Sequence, residues 1–538
     1  MRLGYPMKSI SQILEFFENF EKRFCHPELV SGSHNNSQIK SLYLDSRKCD
    51  KQSGFIALKG LSSDGNDYIE EVMAKGVKLI LSDRLFLKSL SGCHSELVSG
   101  SHKNGNSLYK VDSGSESGMT LVVCIKDLKD KLAGLAQWFY DYKKPANVIG
   151  ITGTNGKTSI SNYIAQFLTL NNSATLLLGT NGNGIYPNLL ESTHTTLDVL
   201  SLYETISCMN SEILNQVQND GLCIGGEFRN LVMEVSSHSL DQGRTKGLDF
   251  DVAVFSNLTQ DHLDYHKTME NYFLAKAKLF QNDTLRCSII NIDDEYGKRL
   301  VNLAKGKVLT VSLKSKNADI YLQVLSADNM ITSFSLYDSC QKVGEYKTTL
   351  LGEFNLMNLA LSITVLKANN NFENILENIA NIQPVKGRME VISLKKNVQV
   401  IIDYAHTPDA LENVLKTLQQ YKPHKLWCIF GCGGNRDTSK RAIMASIAEK
   451  YADKVVVTED NNRFEAVHNI FADIKTGFDN LANHTFIDSR EKAVKYAIEN
   501  AESGDIILLA GKGHECYLDK NGVKEYFDER LVISKYNQ

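Results

Sequence analysis

The stretch Val148-Ile-Gly-Ile-Thr-Gly-Thr-Asn-Gly-Lys-Thr158 decides how this chain folds. Val148 to Thr152 read as a short buried strand, Gly153 and Gly156 as a tight loop. From Thr158 the apolar positions Ile160, Tyr163, Ile164, Phe167 and Leu168 share one helical face. Strand, glycine loop and helix in that order aim backbone N–H groups and the positive end of a helix at one point, where a phosphate chain can sit. Gly153, Thr154, Asn155, Gly156, Lys157 and Thr158 are therefore the candidate cradle, with Lys157 as cation and the Thr158 hydroxyl available to Mg²⁺. Ile151 stands where the strict eight-residue phosphate loop has its first glycine, so this is a shorter variant in which Gly153 takes the bend.

Outward from that loop, Pro145 marks a junction and Pro384 a second one, which divides the 538 residues into units 1–145, 146–384 and 385–538. The first unit has mixed α/β texture, with an amphipathic start at Ile10 to Phe20 and strand-like runs at Phe55–Leu58 and Val77–Leu81. The third has four strand-like runs, Val398–Ile402, Leu426–Phe430, Val455–Thr458 and Ile506–Ala510, each ending in a polar or glycine-rich loop. With helices such as Ser439–Tyr451 between them they predict a parallel doubly wound sheet, whose ligands bind beyond the carboxyl ends of the strands. The expected fold is α/β throughout, with a doubly wound third domain.

Two polar segments repeat. Cys25-His-Pro-Glu-Leu-Val-Ser-Gly-Ser-His34 returns as Cys93-His-Ser-Glu-Leu-Val-Ser-Gly-Ser-His102 with one difference in ten positions. Neither copy offers an apolar face to stack, so they read as surface insertions, near 25–36 and 93–106. Codons for the repeat, read on the opposite strand, give nearly the residues Ile213 to Asn219, which places a third insertion of the same mobile DNA element near 211–221. No catalytic role is expected of any copy.

Hydrophobic content of 42% and charged content of 23% describe an ordinary soluble chain, and 59 basic against 63 acidic residues leave −4, with no signature of nucleic acid or an anionic membrane as partner. The sequence has no bilayer-length apolar run and no signal-peptide core, so a cytoplasmic protein is expected. Eleven scattered cysteines without a CxxC pair read as reduced thiols. Cys428 and Cys432 flank a glycine loop but lack a second pair with zinc spacing.

Two further clusters, Met233-Glu-Val-Ser-Ser-His-Ser-Leu-Asp-Gln-Gly-Arg244 and Phe255-Ser-Asn-Leu-Thr-Gln-Asp-His-Leu-Asp-Tyr-His266, each start as an apolar strand and end in oxygen or imidazole groups. Glu234 and His262 could hold Mg²⁺ beside the phosphates. With Ala275-Lys-Ala-Lys-Leu-Phe280, Asn291-Ile-Asp-Asp294 and Lys386-Gly-Arg-Met-Glu390 following in order, the chain resembles the Mur ligase family over nearly its whole length apart from the insertions.

That resemblance implies an ATP-driven amide synthesis through an acyl phosphate, adding meso-diaminopimelate to the D-glutamate γ-carboxylate of UDP-MurNAc-L-Ala-D-Glu in peptidoglycan synthesis. It implies that Lys157 and Thr158 hold phosphates and Mg²⁺, that Glu234 and His262 bind the metal, and that Asn291 and Arg388 lie on the nucleotide side. Lys276 matches the lysine that CO₂ converts to a carbamate, which can then meet Mg²⁺. Ser46, in Asp45-Ser-Arg47, matches the uridine side; Thr195, Thr196, Ser236, Gln242 and Arg244 match substrate-contacting positions. Leu197 stands where the family usually has proline. Specificity for the amine would lie with Arg436, Asp460, Asn461, Arg463, Gly511 and Glu515. Arg463 would face the second carboxylate that distinguishes diaminopimelate from lysine, and Glu515 the distal ammonium. Asn462 replaces the proline of the diaminopimelate pattern. A monomer is expected, with domain closure about the two junctions. A lysine-adding or folylpolyglutamate-type ligase, and a UDP-sugar-binding protein without catalysis, are the alternative readings.

Overall fold

The computed structural model describes residues 7–21, 37–60, 63–84, 95–96, 107–111, 120–192, 195–220, 228–328, 330–369, 376–421 and 423–537. Strand Asn147–Thr152 sits near the middle of a ten-stranded sheet, between Asn230–Glu234 and Val252–Phe255, and pairs in parallel with both. Burial on two faces explains why these strands are apolar without alternation. Outward on one side lie Thr175–Gly179 and Gly182–Ile185. On the other lie Cys287–Asn291, Lys307–Ser312 and an antiparallel run formed by Ile320–Asp328, Ile331–Asp338 and Gln341–Thr348. Helix Lys157–Leu170 covers one face together with helix Glu353–Ala368: Ile160, Ile164 and Phe167 share a core with Leu356, Leu359 and Ile363.

The N-terminal sheet orders Ser41–Tyr43, Ser53–Ala57, Leu79–Ser82 and Thr120–Cys124 in parallel, then Ser107–Val111 and Ser95–Glu96 antiparallel. The first repeat copy lies outside the described residues. The second departs from the loop expectation at Ser95 and Glu96, which pair with the open backbone edge of Ser107–Val111; its other residues lie outside the described set. The segment near 211–221 continues helix Val199–Asp220 as far as Asp220. That helix joins two sheets: Leu200 and Tyr203 pack in the N-terminal core, whereas Leu202 and Ile206 pack in the central one.

The C-terminal sheet runs Glu390–Leu394, Val398–Asp403, Ile506–Ala510, Leu426–Phe430, Lys454–Thr458 and Thr485–Ile487, all parallel after the first. The expected doubly wound order is present, so the polar loops after four of these strands share one edge. Among the described residues no helix is long and apolar enough to cross a membrane.

Candidate active site

The loop after Asn147–Thr152 is shaped by its glycines. Gly153 has φ 149°, and a methyl group there would lie 1.9 Å from Ser256 Oγ. Gly156 caps the helix at φ 88°. Asn257 fastens the loop from the neighbouring strand end: Thr154 N donates to its carbonyl oxygen and Asn155 N to its Oδ1, both at 2.9 Å.

Two ammonium groups converge on the same carbonyl. Lys157 Nζ donates to the Gly153 and Thr154 oxygens, each at 2.9 Å, and Lys276 Nζ donates to Gly153 O at 2.7 Å. Burial pushes both lysines below their ordinary range, Lys276 far below, and the Lys157 charge lowers Lys276 further. Lys276 also lies over the Tyr272 ring, 4.6 Å from its centre. Its neighbour Lys278 points elsewhere and pairs with Asp241 at 2.7 Å.

Glu234 ends strand Asn230–Glu234, 1% exposed, and accepts three hydrogen bonds: from Thr158 Oγ1 at 3.0 Å, Thr180 N at 2.8 Å and Thr180 Oγ1 at 3.0 Å. The set continues outward. Thr180 Oγ1 lies 3.1 Å from Thr195 Oγ1, Thr196 Oγ1 donates to Glu234 O (2.9 Å), Ser236 N to Thr196 Oγ1 (3.1 Å) and Arg244 Nη1 to Thr196 O (3.3 Å). Gln242 Oε1 accepts from Arg244 Nε and Nη2 and so fixes the guanidinium. One hydrogen-bonded chain therefore runs from the phosphate loop to the proposed substrate contacts. Asn291 joins it from the opposite side, donating at 2.6 Å to the carbonyl of Ser256, whose hydroxyl bonds Asn155 O.

His262, half-exposed and at φ 54°, lies beside Asp261 (3.5 Å) and edge-on to His238 (4.9 Å between ring centres). Burial lowers its pKa, against the raising effect of Asp261. Among the described residues no group of three or more His, Cys, Asp or Glu gathers as a metal site. The hard oxygens of Glu234, Thr158 and Thr180 nevertheless fit Mg²⁺ held mainly by phosphates and water. Sequence reasoning did not single out Thr180, which stands in the glycine turn Gly179-Thr-Asn-Gly182, or Asn257 and Asp261, which lie within the Phe255–His266 cluster.

In the N-terminal unit Ser46 is buried behind Asp45, which caps the turn and binds Arg47 through both oxygens. Arg47 holds the Asp45 carboxyl below its usual range. The Ser46 carbonyl accepts from Lys75 at 2.9 Å.

At the carboxyl edge of the third sheet Asp460, Asn461 and Asn462 are buried, and Arg463 donates from Nη1 to Gly434 O at 2.8 Å. The Asn462 Oδ1 is buried with no hydrogen-bond partner. Asn461 Nδ2 donates to Glu515 Oε2 at 2.9 Å, and a methyl at Gly511 (φ 112°) would lie 2.7 Å from Asp460 Oδ2. Arg436 is exposed on the facing loop, which Arg441 braces by binding Glu465 at 2.7 Å while Glu465 accepts from Asn435 N. Arg388 stacks over Tyr404 at 4.6 Å, and burial, helped by the Arg388 charge, lowers His514. Next to it, Gly387 (φ 72°) touches the Gly511–Glu515 loop so closely that a methyl would fall 2.1 Å from Gly513 C. Lys512, not anticipated from the sequence, is fully buried among Asn461, Glu515 and Asp460.

Comparison with known proteins agrees along the chain. Residues 151–366 match the Mur ligase middle domain, and residues 387–513 match the Mur ligase, glutamate ligase domain. The UDP-N-acetylmuramoyl-L-alanyl-D-glutamate--2,6-diaminopimelate ligase of Pseudomonas aeruginosa is 37% identical over 507 residues, 93% of this chain and 96% of that protein. A solved structure of an enzyme with the same name is 31% identical, covers 98% of both chains and superposes with a TM-score of 0.61. The MurF ligase of Thermotoga maritima in complex with ADP, at 17% identity and TM-score 0.59, shares the fold.

Proposed function

This chain belongs to the Mur ligase family, and on that premise we propose that it joins meso-diaminopimelate to the D-glutamate γ-carboxylate of UDP-MurNAc-L-Ala-D-Glu at the expense of ATP. The γ-phosphoryl group of ATP moves to the carboxylate oxygen, giving an acyl phosphate and ADP. The amine then attacks the acyl carbon, and the tetrahedral intermediate collapses with loss of phosphate.

The observation that carries this reading is the convergence of Lys157 and Lys276 on Gly153 O, with Thr158, the residue after Lys157, hydrogen-bonded to Glu234. The Lys157 ammonium, resting only on neutral carbonyl oxygens, is available to a polyanion. On nucleotide binding Lys157 leaves the loop carbonyls for phosphate oxygens, and the N–H groups at the helix start receive the rest. Thr158 and Glu234 would hold Mg²⁺, with His262 beside them; the ion would neutralise phosphate charge. Lys276, held toward its neutral form, is suited to react with CO₂, and the resulting carbamate would replace a repelling cation by an anion near that metal. Arg244, fixed by Gln242, offers a two-pronged donor to a substrate carboxylate or phosphate, with Thr195, Thr196 and Ser236 along the same wall.

Ser46 would serve the uridine end, Asn291 and Arg388 the nucleotide, and Arg436, Asp460, Asn461, Arg463, Gly511 and Glu515 the amine. The units 1–145, 146–384 and 385–538 would close about their junctions, in a monomer acting in the cytoplasm. The test is to incubate the protein with ATP, the UDP-dipeptide and each amine in turn and weigh the product. A tripeptide formed with diaminopimelate supports the reading; a lysine product alone, or no amine-dependent ADP release, overturns it.

A further inference from the structure

We propose that Lys512 sets the charge of the amine pocket and so chooses between a substrate ending in a paired ammonium and carboxylate and one ending in a bare ammonium. The inference rests on the reading of the Asp460–Arg463 and Gly511–Glu515 loops as the amine pocket. Lys512 has no exposed surface, and its ammonium donates to Asn461 Oδ1 at 2.9 Å and Glu515 Oε2 at 2.7 Å. It also lies 3.6 Å from Asp460 Oδ1 and 5.0 Å from the centre of the Tyr517 ring. Asp460, Asn461 and Glu515 belong to the two pocket loops, and Tyr517 opens the strand that follows the second. The scaffold behind it has its own buried pair, Arg490 with Glu529 at 2.8 Å, and Arg490 Nη2 ties down Ala510 O.

The partners explain what the lysine does. It occupies Glu515 Oε2 together with Asn461, which leaves Oε1 facing the Tyr517 hydroxyl at 3.5 Å. Arg463 has its own protein partner in Gly434 O. The acid and the guanidinium are thus each tied to a separate group, a layout that suits an ammonium and a carboxylate carried on one carbon. Asp460 and Glu515 carry two negative charges in the pocket, and Lys512 and Arg463 two positive ones, of which only Lys512 touches both acids. Removing the lysine makes the pocket one unit more negative, which favours L-lysine, a net cation, over the neutral diaminopimelate.

The experiment uses the full chain with ATP and the UDP-dipeptide, meso-diaminopimelate and L-lysine competing, and reads the two products by mass. Lys512→Met is expected to lower the diaminopimelate-to-lysine ratio of kcat/KM by about ten-fold, with the KM for ATP unchanged. Lys512→Arg retains the wild-type ratio. Glu515→Gln, which makes the pocket less negative, moves the ratio the other way. An unchanged ratio in soluble Lys512→Met overturns the proposal, and so does a shift toward lysine in Glu515→Gln should Lys512→Met fail to fold. The wild-type preference tests the proposed function by itself, because the shift on mutation is read relative to whichever amine the wild type prefers.

Discussion

At the scale of single residues the site is defined by buried charge. Lys157→Ala is expected to lower amine-dependent ADP release by at least about a hundred-fold, the usual cost of removing one group aimed at developing charge. Lys276 differs, because its ammonium is disfavoured by burial and by Lys157. Lys276→Met should therefore abolish tripeptide synthesis while raising stability by about 1 kcal/mol, read as the denaturant midpoint. A ¹³C-bicarbonate-derived carbamate signal seen in the wild type should vanish in the same variant. Since only the neutral amine reacts with CO₂, that signal should grow as pH rises through the window below 10.5 into which Lys276 is moved. Two histidines, the buried His266 and the half-buried His514, act on stability instead. Desolvation lowers His266 and His514 from 6.5 to about 4, so between these values the unfolded chain binds more protons and stability falls as pH drops. Replacing both by glutamine should flatten that part of a stability-against-pH curve; an unaltered slope would exclude them as its cause.

At the scale of elements the strand, glycine loop and helix were legible because three local rules agree there: apolar continuity, glycine at the bend and helical periodicity. The four strands of the third unit were legible for the same reason, and their polar ends marked the pocket edge. Thr180 and Lys512 sit in glycine turns that the sequence does show, Gly179–Gly182 and Gly511–Gly513, but which side chain tertiary packing turns toward a carboxylate is not a local property. The site roles carried by resemblance gain a physical setting in the chain of hydrogen bonds from Thr158 to Arg244. The loop itself can be tested. Gly153→Ala would set a methyl 1.9 Å from Ser256 Oγ and 3.1 Å from Asn257 N, and should cost about 2 kcal/mol of stability together with nucleotide-induced protection, read by thermal shift with and without ATP. The repeated segments are also elements, though without periodicity. Deleting Cys25 to His34 should leave kcat unchanged, and the gene should show inverted nucleotide repeats at the three places.

At the scale of the molecule, three sheets are coupled by shared pieces: helix Val199–Asp220 between the first two, and the Lys386–Glu390 segment between the last two. Closure about the junctions predicts a smaller radius of gyration in solution scattering when ATP analogue, UDP-dipeptide and amine are all present than with any one alone. The contact of Gly387 with Gly513 says which pieces would travel together. The start of the third unit and its pocket loop mesh like neighbouring teeth, with no clearance for a single carbon atom, so Gly387 and the loop that bears Lys512 and Glu515 would move as one piece. A guest held by that loop would then stiffen the joint beside it, and on the reading proposed above the amine would be the one that locks the door.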